Sequence, residues 1–251
     1  LAGLIRDEGV PFLSMTAPGE SRQSLTVTET STGRQYRFML PGPIWSAQDQ
    51  ERVFALLRAS ARPGAFGVIS GSQPPGVPVE FPASLAQAMP GLQVVLDTSG
   101  PALAQAVAHP IPNLVILRMD GDEAETLAGR QLISRSDTAD FAAGLVARGV
   151  AQMVVVARGA DGSVLVDKDR RIFAKAAKVK VKSTVGAGDS FLGAMVWALS
   201  EGWEIEQAFL LGMAAGAAAT GNPGTSLCSR EDVFGLFEKA GGRRPAPRSQ
   251  S

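Results

Sequence analysis

The segment Ser183-Thr184-Val185-Gly186-Ala187-Gly188-Asp189-Ser190 sets two glycines and a carboxylate directly before an apolar periodic stretch. Leu192, Met195, Val196 and Leu199 recur at i, i+3, i+4 and i+7, so this stretch reads as an amphipathic helix. Gly186, Ala187, Gly188 and Asp189 would then form the helix entrance. Helix N-termini expose unpaired N–H groups and carry partial positive charge, which favours an anion such as phosphate. Glycines there let the backbone approach the anion closely. Asp189 has two possible jobs: capping the helix, or accepting the proton of a hydroxyl that attacks a bound phosphoryl group. A lone Gly-x-Gly-Asp has low specificity. It is not a Walker A loop, since no Lys-Ser/Thr pair follows, nor a dinucleotide fingerprint with full glycine spacing.

Such a helix entrance needs a scaffold. Short apolar runs recur along the chain: Phe66–Ile69, Val94–Leu96, Leu114–Leu117, Met153–Val156 and Ser163–Val166. Amphipathic or Ala-rich stretches such as 82–89, 101–108 and 137–148 separate most of them, and Ser46 reads as the N-cap of an earlier helix. Apolar strands alternating with helices imply a parallel sheet covered on both faces. The strands run into Ser70-Gly71-Ser72, Asp97, Arg118-Met119-Asp120 and Ala157-Arg158-Gly159. Ligands of open α/β sheets bind beyond the carboxyl ends of the strands, which makes these residues site candidates. Turns also favour Gly, Ser and Asp for purely local reasons. Residues 24–40 differ: alternating runs on either side of Ser31-Thr32-Gly33 read as a β-hairpin, closed by Pro41-Gly42-Pro43.

Composition narrows the classes. Lys plus Arg total 24 and Asp plus Glu total 24, a balance that argues against a nucleic-acid binder. Hydrophobic residues make up 45%, enough to bury a core. The single cysteine, Cys228, precludes an internal disulfide and suits a reducing, cytoplasmic setting; one histidine, His109, leaves no His/Cys zinc site. No apolar run approaches a membrane span, and Leu1–Ile5 passes at once into Arg6, Asp7 and Glu8, unlike a signal peptide.

Val181–Ser190 closely resembles the C-terminal signature of the PfkB/ribokinase sugar-kinase family. The resemblance covers nearly the whole chain and is strongest to the minor, type II 6-phosphofructokinase branch. Ser21-Arg22-Gln23 and Gln35–Gly42 are similar to its early substrate and lid segments. Ser70-Gly71-Ser72-Gln73-Pro74-Pro75-Gly76 and Asp97-Thr98-Ser99-Gly100 follow its motifs closely, as do Ala214–Thr220 and Pro223–Cys228 at the nucleotide end. The implied fold is a ribokinase-like three-layer α/β/α sandwich with a mostly parallel sheet and a small β lid. Residues 1–19 would be a remnant of an N-terminal α/β portion, 20–42 the lid hairpin, 43–240 the main nucleotide- and sugar-binding domain, and 241–251 a disordered tail. The implied activity is transfer of the γ-phosphoryl of ATP to the 1-hydroxyl of fructose 6-phosphate. Tagatose 6-phosphate or fructose 1-phosphate are the alternative acceptors.

The resemblance makes Asp189 the catalytic base and Gly186, Ala187 and Gly188 the anion hole. It gives Arg22 to the substrate phosphate, where the other reading is a solvated surface side chain, and puts Ser70 and Gly71 near the sugar. Arg118, Asp120, Gly159 and Gly162 would lie along the nucleotide phosphates, with Thr184, Ala218 and Asn222 at the adenine and ribose. Mg²⁺ would bridge the ATP phosphates and meet Asp120 and Glu123 through water; a potassium ion would sit close by. A homodimer through the lid is expected, with no nucleic-acid or membrane partner. The family's Lys-Pro-Asn-x-x-Glu reads here Arg118-Met119-Asp120-Gly121-Asp122-Glu123, and Arg158 stands where the branch has Leu. Arg118 keeps a charge but changes its shape, and the acids of 120–125 could equally start a helix. These departures keep open a second class of function, a kinase-derived protein that binds nucleotide or sugar phosphate without turnover. The family's opening strand and Gly-rich sugar loop have no counterpart before residue 20. The expectation is therefore a piece of a longer protein, with little turnover from residues 1–251 alone.

Overall fold

The computed structural model of the chain describes residues 2–32 and 34–245. A short helix, α1 (Ala2–Asp7), precedes a two-stranded antiparallel hairpin, β1 (Ser24–Thr28) and β2 (Gln35–Met39). Gly33 at the hairpin tip lies outside the described residues. Leu25 faces Phe38 and Val27 faces Tyr36 across the ladder. Side chains on a strand alternate with period two, so these four share one face, and all four are exposed.

The main body begins at α2 (Ala47–Ser60), capped as the sequence implies: Ser46 Oγ accepts from the Asp49 amide at 3.2 Å, and Asp49 accepts from the Ser46 amide at 2.9 Å. Then follow β3 (Phe66–Ser70), α3 (Phe81–Gln87), β4 (Gln93–Asp97), α4 (Gly100–Ala108), β5 (Leu114–Asp120), α5 (Gly121–Ala128), α6 (Arg135–Ala147) and β6 (Met153–Ala157). A 3₁₀ turn, Gly159–Asp161, leads to β7 (Ser163–Val166) and β8 (Arg171–Ala174). Helices α7 (Ala187–Ser200), α8 (Ile205–Thr220) and α9 (Arg230–Lys239) close the chain.

The six strands lie in sequence order, β3 to β6 parallel and β7 and β8 antiparallel. The connections dictate this. Parallel neighbours need a long crossover, and each of the first three links carries at least one helix; β6–β7 and β7–β8 are joined by short turns that can only reverse the chain. The sequence expectation of parallel strands thus holds for four of them. β8, Arg171-Ile172-Phe173-Ala174, is an addition: two of its four residues are only half-buried and Arg171 is exposed, so it lacks the continuous apolar run of an inner strand.

The sheet is buried on both faces. Leu96, Leu117 and Val156 point to one core with Leu103 of α4 and Leu145 of α6. Val95, Ile116 and Val155 point to the other, with Met195 of α7, Phe209 of α8 and Phe237 of α9. Adjacent strand residues feed opposite layers, which makes the body a three-layer α/β/α sandwich. Among the described residues no helix is long and apolar enough to cross a membrane. Of the segment 241–251, residues 246–251 lie outside the described structure. Its first part rests on the body: the Arg243 amide donates to Gln207 at 2.6 Å, and the Arg244 guanidinium lies 3.8 Å from the Phe234 ring centre.

Candidate active site

The parallel register builds the floor of the site. Ser70 pairs with Asp97, and Asp97 with Arg118, so the last residues of β3 and β4 and a late residue of β5 stand side by side in one row. Arg118 Nη1 donates to both Asp97 oxygens, at 3.2 and 3.4 Å. Asp97 is only 9% exposed. Burial raises its carboxyl above its ordinary pKa, Arg118 opposes this, and the charges of Asp189 and Asp120 add to the rise.

The entrance of α7 lies over that row. Gly186, at φ +76°, occupies the N-cap in the left-handed region, where glycine is at ease. No side chain caps this helix. Of the two roles open to Asp189, capping is thereby removed: its carboxylate reaches across to β3, where Ser70 Oγ donates to it at 3.1 Å. Gly188 packs on the Arg118 guanidinium so closely that a Cβ there would lie 2.9 Å from Nη1.

Two cavities meet at this seam. One, about 190 Å³, is bordered by Ser70, Gly71, Ser72, Asp97, Thr98 and Asp189. The other, about 1180 Å³, extends over Asp120, Gly159, Gly162, Thr184 and Ala187 and along α8. Arg118 and Gly188 border both. The 70–73 loop is held open by Thr98 Oγ1, which donates to the Gly71 carbonyl at 2.9 Å, and by Arg22 Nη1, which donates to Ser72 Oγ at 2.6 Å. Arg22, expected at the substrate phosphate, thus stands behind the rim of the small cavity.

The acids after β5 do start a helix. Asp120 accepts from the Glu123 amide at 2.9 Å while Glu123 accepts from the Asp120 amide at 2.8 Å. They also border the cavities, Asp120 the large and Glu123 the small. Burial raises the Glu123 carboxyl above its ordinary pKa. Gly162, at φ +111°, serves the turn: a Cβ there would sit 2.0 Å from the Ala174 carbonyl oxygen of β8.

Two expected nucleotide residues fall elsewhere. Ala218 packs into the core between the sheet and α7–α9, and Asn222 donates to the Leu227 carbonyl at 3.0 Å; neither borders the large cavity. Met213, Gly216, Ala217 and Thr220 border it instead. Their spacing of i, i+3, i+4 and i+7 is a helical stripe, and Ala218 lies about 100° round from Ala217, toward the core. Asp97, a candidate by its position at the end of an apolar strand run but given no role of its own by the sequence, borders the small cavity and holds Arg118.

The donor set suits a nucleotide with its metal. Arg118 Nε is buried without a hydrogen-bond partner, a donor left for an incoming oxygen. Among the described residues no group of three or more His, Cys, Asp or Glu side chains could hold a metal ion. A Mg²⁺ here would depend on phosphate oxygens and water, its usual preference, with Asp120 and Glu123 at hand.

Known proteins agree with this geometry. The profile of the pfkB family carbohydrate kinases matches residues 1–232. ATP-dependent 6-phosphofructokinase isozyme 2 of Mycobacterium tuberculosis is 36% identical over 242 residues, 96% of this chain and 70% of that protein. The Escherichia coli isozyme 2 is 39% identical over 239 residues, 94% of this chain and 76% of its own length. A 1-phosphofructokinase of Xanthomonas campestris is more distant, at 31% over 208 residues, 81% of this chain and 65% of its own. The crystal structure of phosphofructokinase-2 from E. coli with substrates and products aligns at TM-score 0.88 and 36% identity, over 96% of this chain and 78% of that one. Its complex with potassium aligns at 0.87, and its tetrameric inhibited form at 0.86. A ribokinase from Arabidopsis thaliana, 23% identical at TM-score 0.62 over 86% of this chain and 68% of its own, shares the fold. The profile spans most of the chain and the curated isozymes exceed one third identity over more than two thirds of their length: the chain belongs to the pfkB family of carbohydrate kinases and is a phosphotransferase of the sugar-phosphate kinase kind.

Proposed function

We propose that the protein transfers the γ-phosphoryl group of ATP to the 1-hydroxyl of fructose 6-phosphate. One observation carries this reading: Asp189 stands at the seam where Gly188 and Arg118 separate a nucleotide-sized cleft from a small polar cavity. The acceptor hydroxyl lies in the small cavity and gives its proton to Asp189. Its oxygen forms a bond to the γ-phosphorus, the bond to the bridging oxygen breaks, and ADP leaves with that electron pair. The reaction depends on positioning and charge stabilisation. The positive α7 entrance, where Ala187 and Gly188 border the large cavity and Gly186 borders neither, and the Arg118 guanidinium face the negative charge that gathers on the transferring oxygens. Mg²⁺, when bound, neutralises phosphate charge. Arg22 reaches the 6-phosphate from behind Ser72. Potassium is an expected monovalent ion at the nucleotide end, and the single cysteine suits a cytoplasmic enzyme.

The isozyme 2 relatives, more similar than the 1-phosphofructokinase, favour fructose 6-phosphate. The test is a panel of initial rates on the full-length protein with fructose 6-phosphate, fructose 1-phosphate and tagatose 6-phosphate. The expected kcat/KM for the first exceeds the others by about tenfold or more, since a site built for one phosphate position leaves polar groups unpaired around the wrong isomer. Preference for another acceptor overturns the sugar assignment, and ATP binding with no turnover on any of them overturns the kinase reading in favour of a binding protein.

The hairpin supports a homodimer. Leu25, Val27, Tyr36 and Phe38 form an exposed apolar face, as surfaces that meet a partner do. A charge on it, Phe38→Glu, is expected to turn dimers into monomers in sedimentation velocity; unchanged dimers would place the contact elsewhere.

A further inference from the structure

Arg158 is used by none of the chemistry above, yet it is among the most heavily bonded side chains in the protein. It follows β6 and borders the large cavity. Its Nη1 donates to the Leu132 carbonyl at 2.9 Å, to the Ser134 carbonyl at 3.3 Å and to Thr138 Oγ1. Its Nη2 donates to the Ile133 carbonyl at 2.9 Å, and its Nε to Asp161 at 3.0 Å. One guanidinium therefore gathers three consecutive carbonyls of the α5–α6 loop and ties them to the 3₁₀ turn beside Gly159 and Gly162.

Both tied segments are walls of the same cavity: Gln131, Leu132 and Ile133 on one side, Gly159, Ala160 and Gly162 on the other. The loop is held from its amide side as well, where Leu132 N donates to Glu125 at 2.8 Å. Asp161 is shared with Arg135, whose Nη2 donates to it at 2.6 Å and whose guanidinium lies 3.6 Å from the Phe173 ring centre of β8. Hydrogen bonds from Arg135 and then Arg158 hold the Asp161 carboxyl at about 2, below its ordinary 3.8, so the knot stays charged throughout the neutral range. An unsupported loop cannot keep three carbonyls turned inward together; a planar fork of five donors can.

We propose that Arg158 is a positioning residue that sets the width of the nucleotide cleft, by fixing the 131–134 lip to the Gly159–Gly162 turn. The proposal rests on the large cavity being the nucleotide site. Arg158 touches neither the α7 entrance nor the small cavity, so its influence falls on nucleotide binding and not on the sugar or the proton transfer. Lysine cannot replace it, because a single ammonium cannot span three carbonyls and Asp161 together.

The test compares the parent full-length protein with Arg158→Met and Arg158→Lys, below the melting temperature of each. KM for ATP, and Kd for ATP without sugar phosphate, are expected to rise about tenfold or more in both variants, as displacement of a wall by about 1 Å does. The fall in kcat/KM for ATP is to come mainly through KM, with KM for the sugar phosphate changing by less than about twofold. Unchanged ATP Kd in Arg158→Met overturns the proposal. So does full rescue by lysine, or a matching loss for both substrates, which marks general loosening. A parent that binds ATP but phosphorylates nothing defeats the kinase reading only, and the Kd comparison still decides; a parent that binds no ATP defeats both.

Discussion

Replacing Arg118 by methionine is expected to cost both activity and stability, through two separable causes. The guanidinium borders both cavities, packs on Gly188 and holds a buried unpartnered Nε. With the guanidinium at the transferring phosphoryl group, as proposed, its loss is expected to lower kcat by about 10²–10³-fold. Stability falls because Asp97 keeps its burial and loses its cation. The side chains are 16% and 11% exposed, so solvent screens the pair little. Breaking a buried pair from one side costs about 3–5 kcal/mol. Asp97 already titrates above its ordinary value of 3.8, and without Arg118 it rises further. An acid whose folded pKa is raised loses stability as pH climbs from the unfolded value through the folded one. The deficit of Arg118→Met is therefore largest at neutral pH and shrinks as pH falls toward ~3, below the ordinary value, where both states are mostly protonated. Adding Asp97→Asn removes the stranded charge: denaturant melts of the double variant are expected to recover most of the stability, while coupled ADP assays show no recovery of turnover. Recovery of both would show that Arg118 only shields Asp97.

Asp189→Asn is expected to lower kcat by about 10²–10⁴-fold, the range of a positioned general base. The substitution preserves shape and leaves an oxygen for the Ser70 hydroxyl, which now donates at 3.1 Å. The α7 entrance needs no side-chain cap, so the helix loses nothing. ATP affinity is expected to stay within about threefold, because in the proposed arrangement the phosphates meet the α7 entrance and Arg118 and not the carboxylate. A kcat close to that of the parent would reject the base assignment.

Much of this is legible in the sequence. The strand runs, the Ser46 cap and the α7 stripe follow from periodicity and local chemistry, and the strand-end residues Ser70, Asp97 and Arg118 border the small cavity together because parallel register aligns them. Three features are not. The two roles of Asp189 differ only in where its carboxylate turns, which depends on Ser70, over a hundred residues away. The choice between Ala217 and Ala218 is one step of a helix that is nearly all small residues, where no polarity marks the cavity side. Arg158 reads in sequence as a charge beside a phosphate loop; its carbonyl partners come from a turn between two other helices, and backbone acceptors have no sequence signature.

The central claim is that ATP and the sugar phosphate meet across the Gly188–Arg118 seam with Asp189 at the acceptor hydroxyl. A crystal structure of the full-length protein with a non-hydrolysable ATP analogue, Mg²⁺ and fructose 6-phosphate tests it most directly. The account predicts the terminal phosphate over the amides of Gly186, Ala187 and Gly188, and the sugar 1-hydroxyl within hydrogen-bond reach of Asp189. A sugar phosphate bound away from Ser70 and Asp189, or a triphosphate that ends elsewhere in the large cavity, would contradict it.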